Sequence, residues 1–231
     1  MYNNLLIAHR GIHDNIKIPE NSMLSFKKAL EQKIPIELDL QLTKDNKVIV
    51  FHDDNLFRLT NINEKIENLT LEEINKLNLL NTKEKIPTLK DVLKLVNGKT
   101  LMLIELKKIK EYNKLTDIVI NELDEYDGDF LIQSFDPRVI KKVKKINPSF
   151  ECGLLITDKY PNKFYKFFIN NLFFYYIKAD FLSISKKLIH NKRIKKFSKK
   201  HSIFLWTVRN KKELNKYSNK YCFVCDNLPF N

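Results

Sequence analysis

Apolar and polar positions along this chain form short β-rich runs that alternate with stretches of helical apolar period, from one end to the other. The runs at 5–8, 36–42, 101–106, 130–134, 152–156, 181–185, 203–208 and 221–225 read as strands. A helix opens at Asn21 or Ser22, either of them a good N-cap, and continues through Glu31. After 36–42, the turn Asp45-Asn46-Lys47 leads at once into an apolar run at 48–51. So short a link permits only an antiparallel return, so 48–51 is a hairpin arm and not a new strand of the series. Residues 53–86 are polar and predict a small excursion with one helix around 71–77, and Pro87-Thr88 opens a helix to about Val96.

With the arm set aside, eight βα units remain. They predict an α/β fold, a closed (β/α)8 TIM barrel with a hairpin extension of strand 2 and a short insertion, with an open doubly wound sheet as the alternative. No internal repeat, low-complexity segment or Gly/Pro-rich linker divides residues 1–231, so one domain with an insertion at about 53–86 is expected. A length of 231 residues suits one barrel of roughly 250. With 43% hydrophobic and 30% charged residues, the chain can fill a core and solvate a surface, which excludes a disordered class.

No apolar run reaches the roughly 20 residues of a membrane span. The first apolar run enters His9-Arg10-Gly11 directly, without a leader pattern, and the expected location is cytoplasmic. Three cysteines do not make a disulfide framework. Cys222 and Cys225 form a C-x-x-C without a second pair and read as buried thiols. The formal charge of +13 favours anionic partners. Its dense stretches, 141–145 and 186–200, lie at helical spacing beside apolar positions and read either as solvated helix faces or as steering for an anionic substrate.

In a barrel, chemistry gathers where strands end. The first strand ends in His9-Arg10-Gly11, the second carries Glu37 and Asp39, and its hairpin arm returns as His52-Asp53. The next holds Glu105 and Lys107. Later ends bring Gln133-Ser134, Trp206 (a candidate substrate contact) and Asp226-Asn227. Residues two apart on a strand share a face, so Glu37 and Asp39 point together, as do Glu105 and Lys107. Three acids in one barrel mouth repel one another unless a cation neutralises them. Hard oxygen donors without cysteine or a third histidine suit one divalent cation, Mg²⁺ or Ca²⁺. Ion pairing of the acids with Arg10 and Lys107 is the plainer reading. His9 and His52 can give and take a proton near neutral pH, while Arg10 and Lys107 can hold phosphoryl oxygens. No P-loop, dinucleotide-binding or G-x-S-x-G motif is present.

The stretches AHRGIHDNIKIPENSMLSFKKAL and IELDLQLTKDNKVIVFHDDNLFRLTN resemble the opening of the glycerophosphodiester phosphodiesterase family. IPTLKDVL, LIELK, LIQSFDP, LWTV and CDNLP follow in the family's order, so the resemblance covers nearly the whole chain. It implies a metal-dependent barrel enzyme that cleaves small anionic phosphodiesters to glycerol 3-phosphate and an alcohol. It also implies that His9 and His52 are catalytic, that Glu37, Asp39 and Glu105 bind the metal, and that Arg10 and Lys107 contact phosphate. The chain departs from the family pattern at Asn219-Lys220-Tyr221-Cys222, where glycines are usual, and in having only four glycines. The aromatic run Phe164 to Tyr176 reads as a packed helix or as an apolar wall suited to a lipid-like substrate or weak membrane-surface association. Two further functions stay open: a lysophospholipase D, and a non-catalytic basic binder of nucleic acid or anionic membrane. No nucleic-acid module is visible, and no nucleic-acid partner is expected. The sequence does not speak to oligomeric state.

Overall fold

The computed structural model describes residues 1–159, 176–217 and 219–228. Nine strands occur among them: β1 (Leu6–Ala8), β2 (Ile36–Leu42), β3 (Val48–Val50), β4 (Met102–Leu106), β5 (Phe130–Ser134), β6 (Cys152–Ile156), β7 (Phe181–Ser185), β8 (Ile203–Val208) and β9 (Cys222–Cys225). Their order is β1-β9-β8-β7-β6-β5-β4-β2-β3, and β1 also pairs with β2, Ala8 opposite Ile36. That second pairing closes an eight-stranded parallel (β/α)8 barrel and removes the open-sheet alternative. β3 lies outside the ring and runs antiparallel to β2, with Leu40 opposite Val50, as the hairpin reading requires.

The chain divides into two compact units, Ala8–Phe130 and Met1–Ile7 with Leu131–Asn231. In the first, helices α1 (Met23–Glu31), α2 (Phe57–Thr60), α3 (Leu71–Asn75), α4 (Leu89–Val96) and α5 (Tyr112–Asp124) accompany β2 to β4. Capping sets their starts. Ser22, Thr70 and Thr88 each accept from the backbone N–H three residues on, while the side chain at that position returns the bond to the cap. The excursion after β3 is more structured than the single expected helix. Besides α3 it holds α2 and a 3₁₀ turn, Ile66–Asn68. Leu56, Leu59, Ile66, Ile74 and Leu79 pack with Ile49 and Phe51 into a small core of their own, and that core gives the extra turns their purpose.

The second unit contains the parallel series β5 to β9 with helices α6 (Pro137–Ile146), α7 (Lys192–Phe197) and α8 (Lys211–Leu214). Phe181 fills its interior against Phe204, ring centroids 4.8 Å apart. A Cβ at residue 153 would stand 2.2 Å from the Phe181 ring, so this strand position must be Gly153. Cys152, Cys222 and Cys225 are buried free thiols, and burial pushes them up to about 12, 11 and 12. Of the aromatic run, all but Tyr176 lies outside the described residues.

The scarcity of glycine has a structural counterpart. Eleven non-glycine residues among those described have positive φ, and seven of them are asparagines. Asparagine tolerates the left-handed region better than other side chains and supplies the turns that glycine would otherwise make.

Candidate active site

Seven of the eight predicted site residues belong to the unit Ala8–Phe130. β2 is buried along its whole length and its alternation divides the work. Leu38 and Leu40 face the helices, while Glu37, Asp39 and Gln41 share the opposite face. In the parallel pairing with β4, Asp39 stands opposite Glu105. This register brings the donor oxygens of Glu37, Asp39 and Glu105 to within 4.8 Å of one another, all three side chains buried.

The electrostatics of the three acids differ. Burial first, then the charges of Asp39 and Glu105, hold the Glu37 carboxyl well above the ordinary carboxylate range. Burial likewise raises Glu105, against the pull of Lys107. Burial would raise Asp39 too, but Lys107 and Arg10 outweigh it and keep that carboxylate ionised. Lys107 Nζ lies 2.9 Å from Glu105 Oε1 and 3.4 Å from Asp39 Oδ1, while Arg10 Nε is 3.3 Å from Asp39 Oδ2. Both cations are thus drawn to the acid cluster, and the ion-pair reading describes this geometry as far as it goes. Three hard oxygen donors that repel one another fit a divalent cation.

The turn after β1 is built to present its side chains. Arg10 has φ 58° and Gly11 φ 79°, and a Cβ on Gly11 would meet the Ser25 backbone at 2.8 Å. Only glycine permits both that conformation and that approach to α1. The turn aims the Arg10 backbone N–H at Glu37 Oε2, 3.0 Å away. Asn21, just before the α1 cap, donates its side-chain N–H to Asp39 Oδ2 at 2.9 Å. His9 is half-buried at the end of β1.

His52 follows β3, and Gln41 fixes its loop by donating to the carbonyls of Phe51 and Asp53 at 3.1 and 2.6 Å. The His52 ring nitrogen Nδ1 is 2.6 Å from Asp53 Oδ1. Hydrogen bonds from His52 and Arg58 overcome burial and hold Asp53 below its ordinary range. An ionised partner accepts, so Nδ1 is the donor in this pair. Glu20, Asn21, Gln41 and Arg58 were not singled out from sequence. Glu20 lies in the loop after β1 and Arg58 in α2, and no local pattern announces their meeting. Gln41 could have been found, since it continues the Glu37–Asp39 alternation.

Trp206 belongs to the other unit, on β8, where it meets Phe135 edge-on with ring centroids 5.7 Å apart. Its buried Nε1 has no hydrogen-bond partner. Among the described residues, no helix is long and apolar enough to cross a membrane.

The glycerophosphoryl diester phosphodiesterase family profile matches residues 9–223, from the first candidate histidine into the last strand. The chain belongs to this family. Its class is that of the phosphoric diester hydrolases. A glycerophosphodiester phosphodiesterase of Caldanaerobacter subterraneus is 39% identical over 162 residues, 65% of this chain and 66% of that one. The Bacillus subtilis protein YhdW is 32% identical over 217 residues, covering 90% of this chain and 87% of its own. The glycerophosphodiester phosphodiesterase of Thermotoga maritima superposes with a TM-score of 0.80 at 26% identity, covering 98% of this chain and 96% of that one. An Oleispira antarctica phosphodiesterase solved with sn-glycerol-3-phosphate shares the fold, with a TM-score of 0.84 at 21% identity over 96% of this chain and 93% of its own.

Proposed function

We propose that this family member is a metal-dependent glycerophosphodiester phosphodiesterase, the whole chain acting as one catalytic domain that releases glycerol 3-phosphate and an alcohol. The observation that carries this reading is the convergence of Glu37, Asp39 and Glu105 within 4.8 Å, with Arg10 and Lys107 at their edge and His52 oriented through Nδ1. The product held by the Oleispira protein agrees with it.

Glu37, Asp39 and Glu105 would hold one Mg²⁺ or Ca²⁺. When bound, such an ion supplies Lewis-acid neutralisation of the charge that develops on the phosphoryl oxygens. Lys107 and Arg10, which flank the cluster, would hold the substrate's phosphate, Arg10 by a planar fork and Lys107 as a point charge. His9 takes the proton from the glycerol 2-hydroxyl, whose oxygen forms a new bond to phosphorus. The bond from phosphorus to the leaving oxygen breaks, and His52, entering the step protonated on both ring nitrogens, donates its Nε2 proton to that oxygen. Water then opens the cyclic phosphate with the two histidines in exchanged roles. An internal attacker is already positioned, which removes much of the entropic barrier.

The test is a turnover panel of glycerophosphocholine and lysophosphatidylcholine, with chelator and with added Mg²⁺ or Ca²⁺. The reading requires cation-dependent release of glycerol 3-phosphate from glycerophosphocholine. Turnover undiminished in chelator would overturn the metal assignment, and turnover of lysophosphatidylcholine alone would make this a lysophospholipase D.

A further inference from the structure

The net positive charge of this protein comes from one of its two compact units. Residues 131–231 hold 22 Lys and Arg against 6 Asp and Glu, whereas residues 8–130 hold 19 against 22. The unit with the acid cluster and both candidate histidines is therefore slightly acidic, and the excess lies where none of that machinery is.

The excess is densest around α7. Between Lys186 and Lys200 there are eight cations and no acid. Lys186 and Lys187 are engaged, with Glu213 at 2.6 Å and Asp158 at 3.0 Å. The helix buries Ile194 and Phe197, a spacing that makes one inward stripe. Every other position is turned out, so Lys192, Arg193, Lys195, Lys196, Lys199 and Lys200 are all exposed. α6 repeats the arrangement. It buries Val139, Ile140 and Val143, exposes Lys141 and Lys145, and ends in Ile146, 47% exposed. Beside it Tyr176 is 67% exposed, with Lys141 Nζ 4.9 Å from its ring centroid.

We propose that the lysine-rich outer surface of α7 docks the protein on an anionic lipid bilayer. Two features favour lipid over nucleic acid. Nineteen of the 22 cations are lysines, point charges suited to a diffuse field, whereas nucleic-acid recognition favours the bidentate fork of arginine. At α6 the exposed Tyr176 and Ile146 beside Lys141 and Lys145 repeat the character of a headgroup boundary, where an apolar body enters and a charged or polar tip stays wet. Clusters of this size are sufficient: each Lys or Arg near an anionic leaflet strengthens adsorption about five-fold.

The experiment is co-sedimentation of the full chain with vesicles of phosphatidylcholine alone or mixed with phosphatidylglycerol, at about 0.15 M and 1 M salt. The expected result is binding to the mixed vesicles only, lost in high salt. Lys192→Gln, Lys195→Gln, Lys196→Gln and Lys199→Gln together should weaken it on the order of 10²- to 10³-fold. Turnover of soluble glycerophosphocholine, if the enzymatic reading holds, should be unchanged. Lys83→Gln, Lys90→Gln, Lys94→Gln and Lys99→Gln remove the same charge from the other unit and should leave vesicle binding nearly intact. Equal losses in the two variants would reduce the effect to net charge and overturn the proposal. So would absence of binding to the mixed vesicles, or tighter binding to single-stranded RNA than to them. Vesicle binding is read without any turnover, so failure of the proposed activity would leave this result standing.

Discussion

Arg58 donates to Glu20 through both terminal nitrogens, at 2.9 and 2.7 Å, and reaches Asp53 with Nε at 2.6 Å. Glu20 also accepts from Arg10 at 2.7 Å, and Asp53 holds His52 Nδ1 at 2.6 Å. One guanidinium thus ties the loop after β1, which carries His9 and Arg10, to the loop after β3, which carries His52. Arg58→Met should lower kcat on glycerophosphocholine by about 10- to 100-fold, because misplacing a reacting group by an ångström costs that much. Arg58→Lys keeps the charge without the planar fork and should recover only part of the loss. An unchanged kcat in Arg58→Met would show that His52 is held without this clamp.

Glu20 ties the same network to acid stability. Burial would raise its carboxyl, but Arg58, Arg10 and Asn15 bring it down to about 2 from an ordinary 4.5. The folded value lies below the unfolded one, so the stabilisation is complete above pH 4.5 and is lost as pH falls toward 2. For a side chain 3% exposed this amounts to about 3 kcal/mol. The melting temperature of the wild type should therefore fall faster across that window than that of Glu20→Gln. Parallel curves would show that the network does not stabilise the ionised carboxylate.

Glu37 and Glu105 run the other way. Their folded values lie above the unfolded ones, so the stability they lend is present in acid and is lost as pH rises through the folded values. The proposed cation would reverse that loss. Mg²⁺ should raise the melting temperature at neutral pH and do little in acid. Glu37→Gln in chelator should melt no lower than the wild type, yet gain nothing from Mg²⁺. Asp39→Asn differs. Asp39 faces Lys107, Arg10 and Asn21 even without metal, so its loss should lower the melting temperature in chelator as well. A wild type whose melting ignores Mg²⁺ at neutral pH would remove the cation from the cluster.

Much of this was legible because strand alternation is a local rule. Glu37 and Asp39 had to share a face, and the three-residue turn before Val48 had to return the chain as a hairpin arm. The differing electrostatics of those two acids were not legible, since Asp39 gains its cations from Lys107 and Arg10, brought in by pairing with β4 and by the turn at Gly11. The extra turns at Phe57–Thr60 and Ile66–Asn68 were hidden for a similar reason. Their apolar residues satisfy no helical period and are explained only by the small core they form with Ile49 and Phe51. Arg58 sits in that excursion and carries no strand-end signature, so the residue that joins the two histidine loops was not found.

The division of labour between His9 and His52 can be separated by the leaving group. A general acid matters in proportion to how poorly the leaving oxygen departs as an anion. Choline is an alcohol of high pKa, so removing its proton donor should cost about 10²- to 10⁴-fold. A nitrophenolate departs readily and gains little from protonation. With His52 Nδ1 committed to Asp53, His52→Ala should be severely impaired on glycerophosphocholine and much less so on a glycerophospho-nitrophenyl ester. In the proposed mechanism His9→Ala removes the base that activates the 2-hydroxyl, which both substrates need, so it should be impaired on both. Asp53→Asn keeps the His52 ring but withdraws the ionised acceptor that selects its tautomer, so it should show a weaker form of the His52→Ala pattern. Equal losses for His52→Ala on the two esters would refute the acid assignment. Rescue of His9→Ala alone by the nitrophenyl ester would show that the two histidines act in the reverse order.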